Sequence, residues 1–319
     1  MAKRIAVRPG LAFALLAAFA LLPLLAMAAG EPFLLVIATR IMVFAIAALS
    51  LDIILGYGGM VSFGHAAFIG LGAYATGIAA HHGVTDLMAQ MALAILVCGA
   101  FALATGAVSL RAKGVYFIMI TLAFGQMAFF FMVSFSAYGG DDGLTLAARS
   151  TLAGRAVLGD NLVFYYVALA ILGAFFLFSR AMIGARFGRV LRGVRDNPER
   201  MRAIGFTPFF YQLAAYCIAG SMAGVAGVLL ANQAEFVSPA YMSWQRSGEL
   251  IVMVVLGGMG MLTGPVLGAA ALIIMEEALG RLSEHWKFGL GLALILIVLF
   301  TRGGLTGALR RIPGKARHG

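Results

Sequence analysis

Charge is scarce in this chain: 11% of its 319 residues are Asp, Glu, Lys or Arg, against 62% hydrophobic. A mean hydropathy of +0.98 excludes a water-soluble domain and, with several apolar runs long enough to cross a bilayer, calls for a polytopic membrane protein. Cysteine is nearly absent. Cys98 and Cys217 lie inside apolar runs without a CxxC spacing or a Cys/His neighbour, so neither a disulfide nor a metal site is indicated. The motifs GxxxxGK[ST], HExxH and GxSxG are missing too, which removes Walker-type ATP binding and leaves no catalytic constellation and no cofactor site. Acidic residues are the rarer sign, 13 against 23 basic, and the net charge is +10. Because the basic residues lie between and beyond the apolar runs, with no aromatic interleaving, they speak for topology and against nucleic acid as a partner. No file of Asp, Glu or His runs through the apolar segments, which argues against a proton-coupled carrier.

What is present is apolar length. Runs near 11–29, 33–55, 61–80, 87–109, 114–135, 161–179, 208–231, 249–262, 265–280 and 288–301 predict an all-α membrane bundle of about ten transmembrane helices, one domain over 1–319. The run at 249–262 is short and ends in "GGMGMLTGP", so it either spans or re-enters; the latter is tolerated where backbone faces protein or water. Lys3, Arg4 and Arg8 precede a first run that closes on Ala26-Met27-Ala28, a signal-peptidase-like pattern. At about 18 residues this run is long for a signal peptide, and an uncleaved first span is expected.

Orientation follows from Lys/Arg asymmetry. With a cytoplasmic N-terminus, all basic residues but Arg40, Arg149, Arg155, Arg246, Arg281 and Lys287 fall on the inner side, and the C-terminus is cytoplasmic as well. Arg40 and Asp52, twelve residues apart in the second run, are expected to snorkel to opposite interfaces. Glu277 and Arg281 have the i,i+4 spacing of a helical ion pair.

The inner segment 181–207 is unlike the rest. Arginines recur at 186, 189, 192 and 195 while Phe187, Val190, Leu191 and Val194 share another face, a basic amphipathic helix. A second, shorter helix follows: Asn197 as N-cap, Pro198 at the first position, Glu199 at the positive end, Gly205 as the left-handed residue beyond the last turn. In it Met201 and Ile204, three apart, are expected to form an apolar knob flanked by Arg200 and Arg202. So short a helix is unstable alone and needs a partner surface, either anionic lipid headgroups or a groove on a cytoplasmic protein.

Glu199-Arg200-Met201 followed by Gly205 resembles the "EAA…G" loop of ABC-importer permeases, departing from it at Arg200 and Met201 where the general pattern has two alanines. Both replacements keep helix propensity. Together with "LDIILGYGGMVSFGHAAFIGLGAYATG" (51–77), "RAKGVYFIMITLAFGQM" (111–127), "GGDDGL" (139–144) and "VVLGGMGMLTGPVLGA" (254–269), it makes the chain similar to the LivM-like permease subunits of branched-chain amino-acid ABC importers. The resemblance implies a bacterial inner-membrane subunit without catalysis of its own. Its implied partners are two ABC ATP-binding subunits docking on Asn197–Gly205, a second, related and shorter permease forming a heterodimer, and a periplasmic binding protein. The alternative is a stand-alone secondary transporter or channel whose basic loop rests on membrane lipid.

Glycines mark two further stretches. Gly56, Gly58 and Gly59, followed by Ser62, Gly64, His65, Gly70, Gly72 and Gly77, either let helices pack closely or line a pathway or moving seam. Gly220, Gly224 and Gly227 offer a similar small-residue face, read as packing. His65 is expected to make a backbone or interhelical hydrogen bond, with a ligand or switch role as the alternative. Gly257-Gly258-Met259-Gly260 echoes Gly58-Gly59-Met60, and paired glycine breaks in two halves of a transporter point to its central route.

Overall fold

A computed structural model describes residues 9–29, 31, 33–282, 285–300 and 303–311. Lys3, Arg4, Arg8, Arg302, Lys315 and Arg317, on which part of the orientation argument rests, lie outside the described residues, as do the side chains of Arg310 and Arg311.

Each of the ten apolar runs overlaps a helix, though 61–80 and 249–262 are offset from theirs by four and five residues at the start. The helices are α1 (Pro9–Ala29), α2 (Phe33–Asp52, continued by a π-helical turn Ile53–Tyr57), α3 (His65–His81), α4 (Leu87–Ser109), α5 (Val115–Ser134) and α6 (Asn161–Gly184). After the short α7 (Arg186–Asp196) and α8 (Pro198–Ala203) come α9 (Pro208–Ala234), α10 (Trp244–Gly257), α11 (Gly264–Leu282), α12 (Trp286–Phe300) and the unanticipated α13 (Gly304–Arg311). Five of these, α2 with its π turn and α4, α5, α6 and α9, are long and apolar enough to cross a membrane. The chain is thus an all-α multi-pass membrane protein. A two-stranded ribbon, Leu144–Thr145 against Phe236–Val237, joins the loops after α5 and α9.

The core is built on α2, α3 and α9. From Ile41 to Tyr57 every residue of α2 and its π turn is buried, so this apolar run has no lipid-facing stripe. The α3–α9 seam shows why the glycines are there. A Cβ at Gly72 would strike the Gly224 carbonyl, and one at Gly227 the Ile69 carbonyl, so the two backbones are in direct contact. Gly220 and Gly224 receive Phe68 and Cys98 in the same way. The packing reading of this face holds.

The snorkelling expected for Asp52 does not occur: the residue is fully buried, because α2 ends inside the bundle and its last turn faces the loop after α10. Arg40 is held near Glu276 of α11, 3.7 Å away. Glu277 and Arg281 pair as expected, at 3.0 Å.

Candidate functional site

The α7–α8 pair forms as its residue types require. On α7, Val190, Leu191 and Val194 turn inward and Arg186 and Arg189 outward. At the junction Asn197 Oδ1 accepts from the Arg200 amide at 2.9 Å, and Pro198 takes the first helical position, where no donor is needed. At the far end Gly205 has φ +89°. Its amide donates to Arg202 O at 2.9 Å and that of Phe206 to Met201 O at 3.0 Å, the two bonds of a Schellman closure.

The expected Met201–Ile204 knob is corrected. Met201 is buried against Gly193, Val190, Val194 and Phe206 and staples α8 to α7, while Ile204 is 61% exposed and stands alone. A six-residue helix has one side on its neighbour, and the Schellman closure draws Met201 and Phe206 to that side. The outer side therefore presents Glu199, Arg200, Ala203 and Ile204. Glu199 and Arg202 pair at 2.7 Å, but both are more than half exposed, so the pair shapes the surface more than it stabilises it.

From α7 a polar thread runs into the bundle. Arg195 Nη1 donates to the Gly56 carbonyl at 2.6 Å, and its aliphatic stem lies where a Cβ on Gly59 would be. A Cβ on Gly56 would collide with Asp52 Oδ1 and the Gly260 amide nitrogen. Asp52 Oδ1 accepts from that amide at 2.8 Å, and Oδ2 has no partner among the described residues. An ionisable side chain so deep in a membrane bundle is expensive to keep. Here it ties the π turn ending α2 to the break that follows α10.

That second break is tied in turn to α13: Thr306 Oγ1 donates to Gly257 O at 2.8 Å, and Gly304 packs against the Gly258 backbone. Gly258 has φ +116° and Gly260 φ +70°, conformations that L side chains rarely adopt. The structure thus brings Gly56 and Gly260 together, with Gly257 and Gly258 against Gly304 and Thr306 of α13 and Gly59 against Arg195 of α7.

Ser62 and His65 are both buried at the start of α3. Ser50 Oγ donates to Ala47 O at 2.7 Å, which uses its only proton, so His65 Nε2–H donates to Ser50 Oγ at 2.8 Å. The imidazole makes the interhelical bond expected of it. The first amides of α3 have no cap of their own. The Ala66 amide instead donates to Ser247 Oγ of α10 at 3.0 Å, and the Phe63 amide just ahead of the helix to Thr121 Oγ1 of α5 at 3.3 Å.

A cleft of about 560 Å³ opens between α8 and the first break. Gly58, Gly59, Met60 and Phe117 form its inner wall, and Arg111, Lys113, Arg195 and Arg202 its rim. Asp52, Arg195 and Thr306 were not picked out by sequence reasoning as site residues. A lone acid in an apolar run was the available signal for Asp52; nothing local distinguishes Arg195 from the other arginines of α7.

A helical membrane bundle thus carries two interlocked glycine breaks, a basic cleft beside them and a capped helix at the same end. Over residues 33–300 the chain matches the family described as branched-chain amino acid transport system / permease component, and it belongs to that family. It is 27% identical over 313 residues to the high-affinity branched-chain amino acid transport system permease protein LivM of Salmonella typhimurium, covering 89% of this chain and 74% of that protein. The LivM protein of Escherichia coli K12 is 26% identical over the same shares. More distantly, the chain is similar to the autoinducer 2 import system permease protein LsrC of Salmonella typhimurium, 29% identical over 52% of this chain and 48% of that protein. No solved structure matches.

Proposed function

We propose that this chain is the non-catalytic permease subunit of a bacterial ABC importer for branched-chain amino acids, lying in the inner membrane with both termini in the cytoplasm. The bundle forms half of a pathway with a second, related permease. Two ATP-binding subunits dock from the cytoplasm on the outer side of α8, and a periplasmic binding protein delivers the substrate. The apolar helices beyond these five candidate spans complete the bundle, and the 249–262 segment re-enters as α10 and its break rather than crossing alone.

The carrying observation is the continuity from α8 to the breaks. Met201 fixes α8 to α7, Arg195 of α7 holds the Gly56 carbonyl, and Asp52 beside it holds the Gly260 amide. A push on α8 by closing ATP-binding subunits moves α7, and with it the two segments whose glycines permit a change of backbone path. The cleft beside Gly58 and Gly59 is the inner mouth of that route. Such coupling needs the nucleotide to favour one arrangement over the other, since equal affinity for both shifts nothing.

The test is reconstitution. Proteoliposomes holding this chain, its paired permease, the ATP-binding subunits and the binding protein should take up L-leucine on internal ATP. Uptake by the chain alone, without ATP, would overturn the reading in favour of a self-sufficient carrier.

A further inference from the structure

Twelve residues before Asp52 on α2, about 18 Å along the helix, a second group of charges sits at the other end of the bundle. Arg40 lies 3.7 Å from Glu276 of α11, and Arg246 lies 2.6 Å from Glu249, both on α10. The two guanidiniums share one aromatic ring, Phe44, at 5.9 and 5.5 Å from its centroid. The four charged side chains are only 14–43% exposed, so packing strips part of their hydration and leaves the ion pairs to offset that cost.

Their arrangement is polarised. The two arginines line a cavity of about 310 Å³ whose other walls include Val36, Phe44 and Leu230. The two glutamates line a neighbouring cavity of about 380 Å³ between α10, α11 and α12. The row of ion pairs therefore separates two cavities, the first lined by both arginines and the second by both glutamates and Lys287. The first cavity is at the lower end of the range for small-molecule sites, about 300–1,000 Å³, and it has their character of apolar walls with a few convergent polar groups. The two pairs also differ. Arg246–Glu249 is within hydrogen-bonding distance, whereas Arg40–Glu276 is beyond it, with Arg40 43% exposed and Glu276 14%.

From this geometry we infer a binding site for an amino-acid zwitterion at the Arg40–Glu276 pair, resting on the transport function proposed above and naming the residues that would receive the substrate. The substrate carboxylate takes the Arg40 guanidinium, supported by Arg246. Its ammonium takes Glu276, and a branched aliphatic side chain lies against Val36, Phe44 and Leu230. Insertion of the zwitterion replaces one loose ion pair by two charge-assisted hydrogen-bonded contacts, so the site changes its charge balance neither when filled nor when emptied.

The test uses the complete transporter in proteoliposomes with radiolabelled L-leucine, and reads uptake, ATP hydrolysis and affinity for the binding protein separately. Glu276→Gln and Arg40→Gln should each lower uptake tenfold or more while hydrolysis and binding-protein affinity stay within twofold. The exchanged variant Arg40→Glu/Glu276→Arg, which keeps an ion pair but inverts the site, should remain as inactive as the single variants. A diazirine analogue of leucine should label the Val36–Phe44 segment of the unaltered complex.

Recovery of uptake in the exchanged variant would overturn the inference, because the pair would then be structural only. So would unchanged uptake in the single variants, or a loss that tracks binding-protein affinity. If the variants do not assemble, absence of label in the unaltered complex overturns it. Failure of the broader reading looks different: the unaltered complex itself would then show no ATP-dependent leucine uptake.

Discussion

Replacing Arg195 by Gln removes the link between α7 and the first glycine break while leaving most of the side-chain stem against Gly59. A hydrogen bond from a charged donor contributes about 1.5–3 kcal/mol when shielded. The Arg195 side chain is 40% exposed and also contacts Asp196 at 3.1 Å, so screening reduces this to roughly 1 kcal/mol. Such a loss lies within the reach of the bundle's overall stability, and the subunit should still insert and assemble. If the bond transmits the motion of α8, the lost coupling corresponds to about fivefold in the ratio of leucine taken up to ATP hydrolysed. The assay is that ratio in proteoliposomes, with Arg192→Gln as control. Arg192 donates to the carbonyls of Gly188 and Ile183, at 3.1 and 3.3 Å, and has no hydrogen bond to either break among the described residues. A ratio unchanged by Arg195→Gln, or lowered equally by Arg192→Gln, would refute the reasoning.

Three further outcomes are expected. Gly205→Ala places a side chain at φ +89° in otherwise open space; the cost is about 1 kcal/mol, seen as faster amide exchange across 198–206 with little change elsewhere. Met201→Ala empties the contact with Val190, Val194 and Phe206 and should cost about 2 kcal/mol, the low end for a buried methionine at a surface cluster. Exchange of α8 should then rise, and ATP-binding subunits should be lost on purification. Gly227→Ala drives a methyl group into the Ile69 carbonyl at the α3–α9 seam and should destabilise the bundle by about 2 kcal/mol or more, read as a lower unfolding temperature in detergent with α8 unaffected.

Much of this fold is legible because membrane helices announce themselves by length and by breakers. The run at 87–109 matches α4 to the residue, and the one at 114–135 matches α5 to within a residue at each end. The start of α10 is less visible: Gln245, Arg246, Ser247 and Glu249 make its first turns polar, so the apolar run begins five residues after the helix does. The caps of α8 are readable from residue type alone, since Asn197, Pro198 and Gly205 each satisfy a local backbone demand. The direction of Met201 is not, because six residues are too few for periodicity to assign a face, and the neighbour it packs on is chosen by the turn between α7 and α8. Asp52 shows the wider limit. Its burial is decided by Gly260, 208 positions away, and only the packed structure places that amide beside it. The echo between the two glycine stretches rested on three residues, yet the segments prove to be in contact, Gly56 against Gly260.

The most direct measurement is site-specific photo-crosslinking from position 204 in native membranes. Ile204 is the large apolar side chain left outward on α8, so a benzophenone amino acid installed there reports what the helix faces. The account predicts a covalent product with an ATP-binding subunit, strengthened when ATP hydrolysis is blocked with the nucleotide trapped. A product made of phospholipid alone, unchanged by nucleotide, would contradict it.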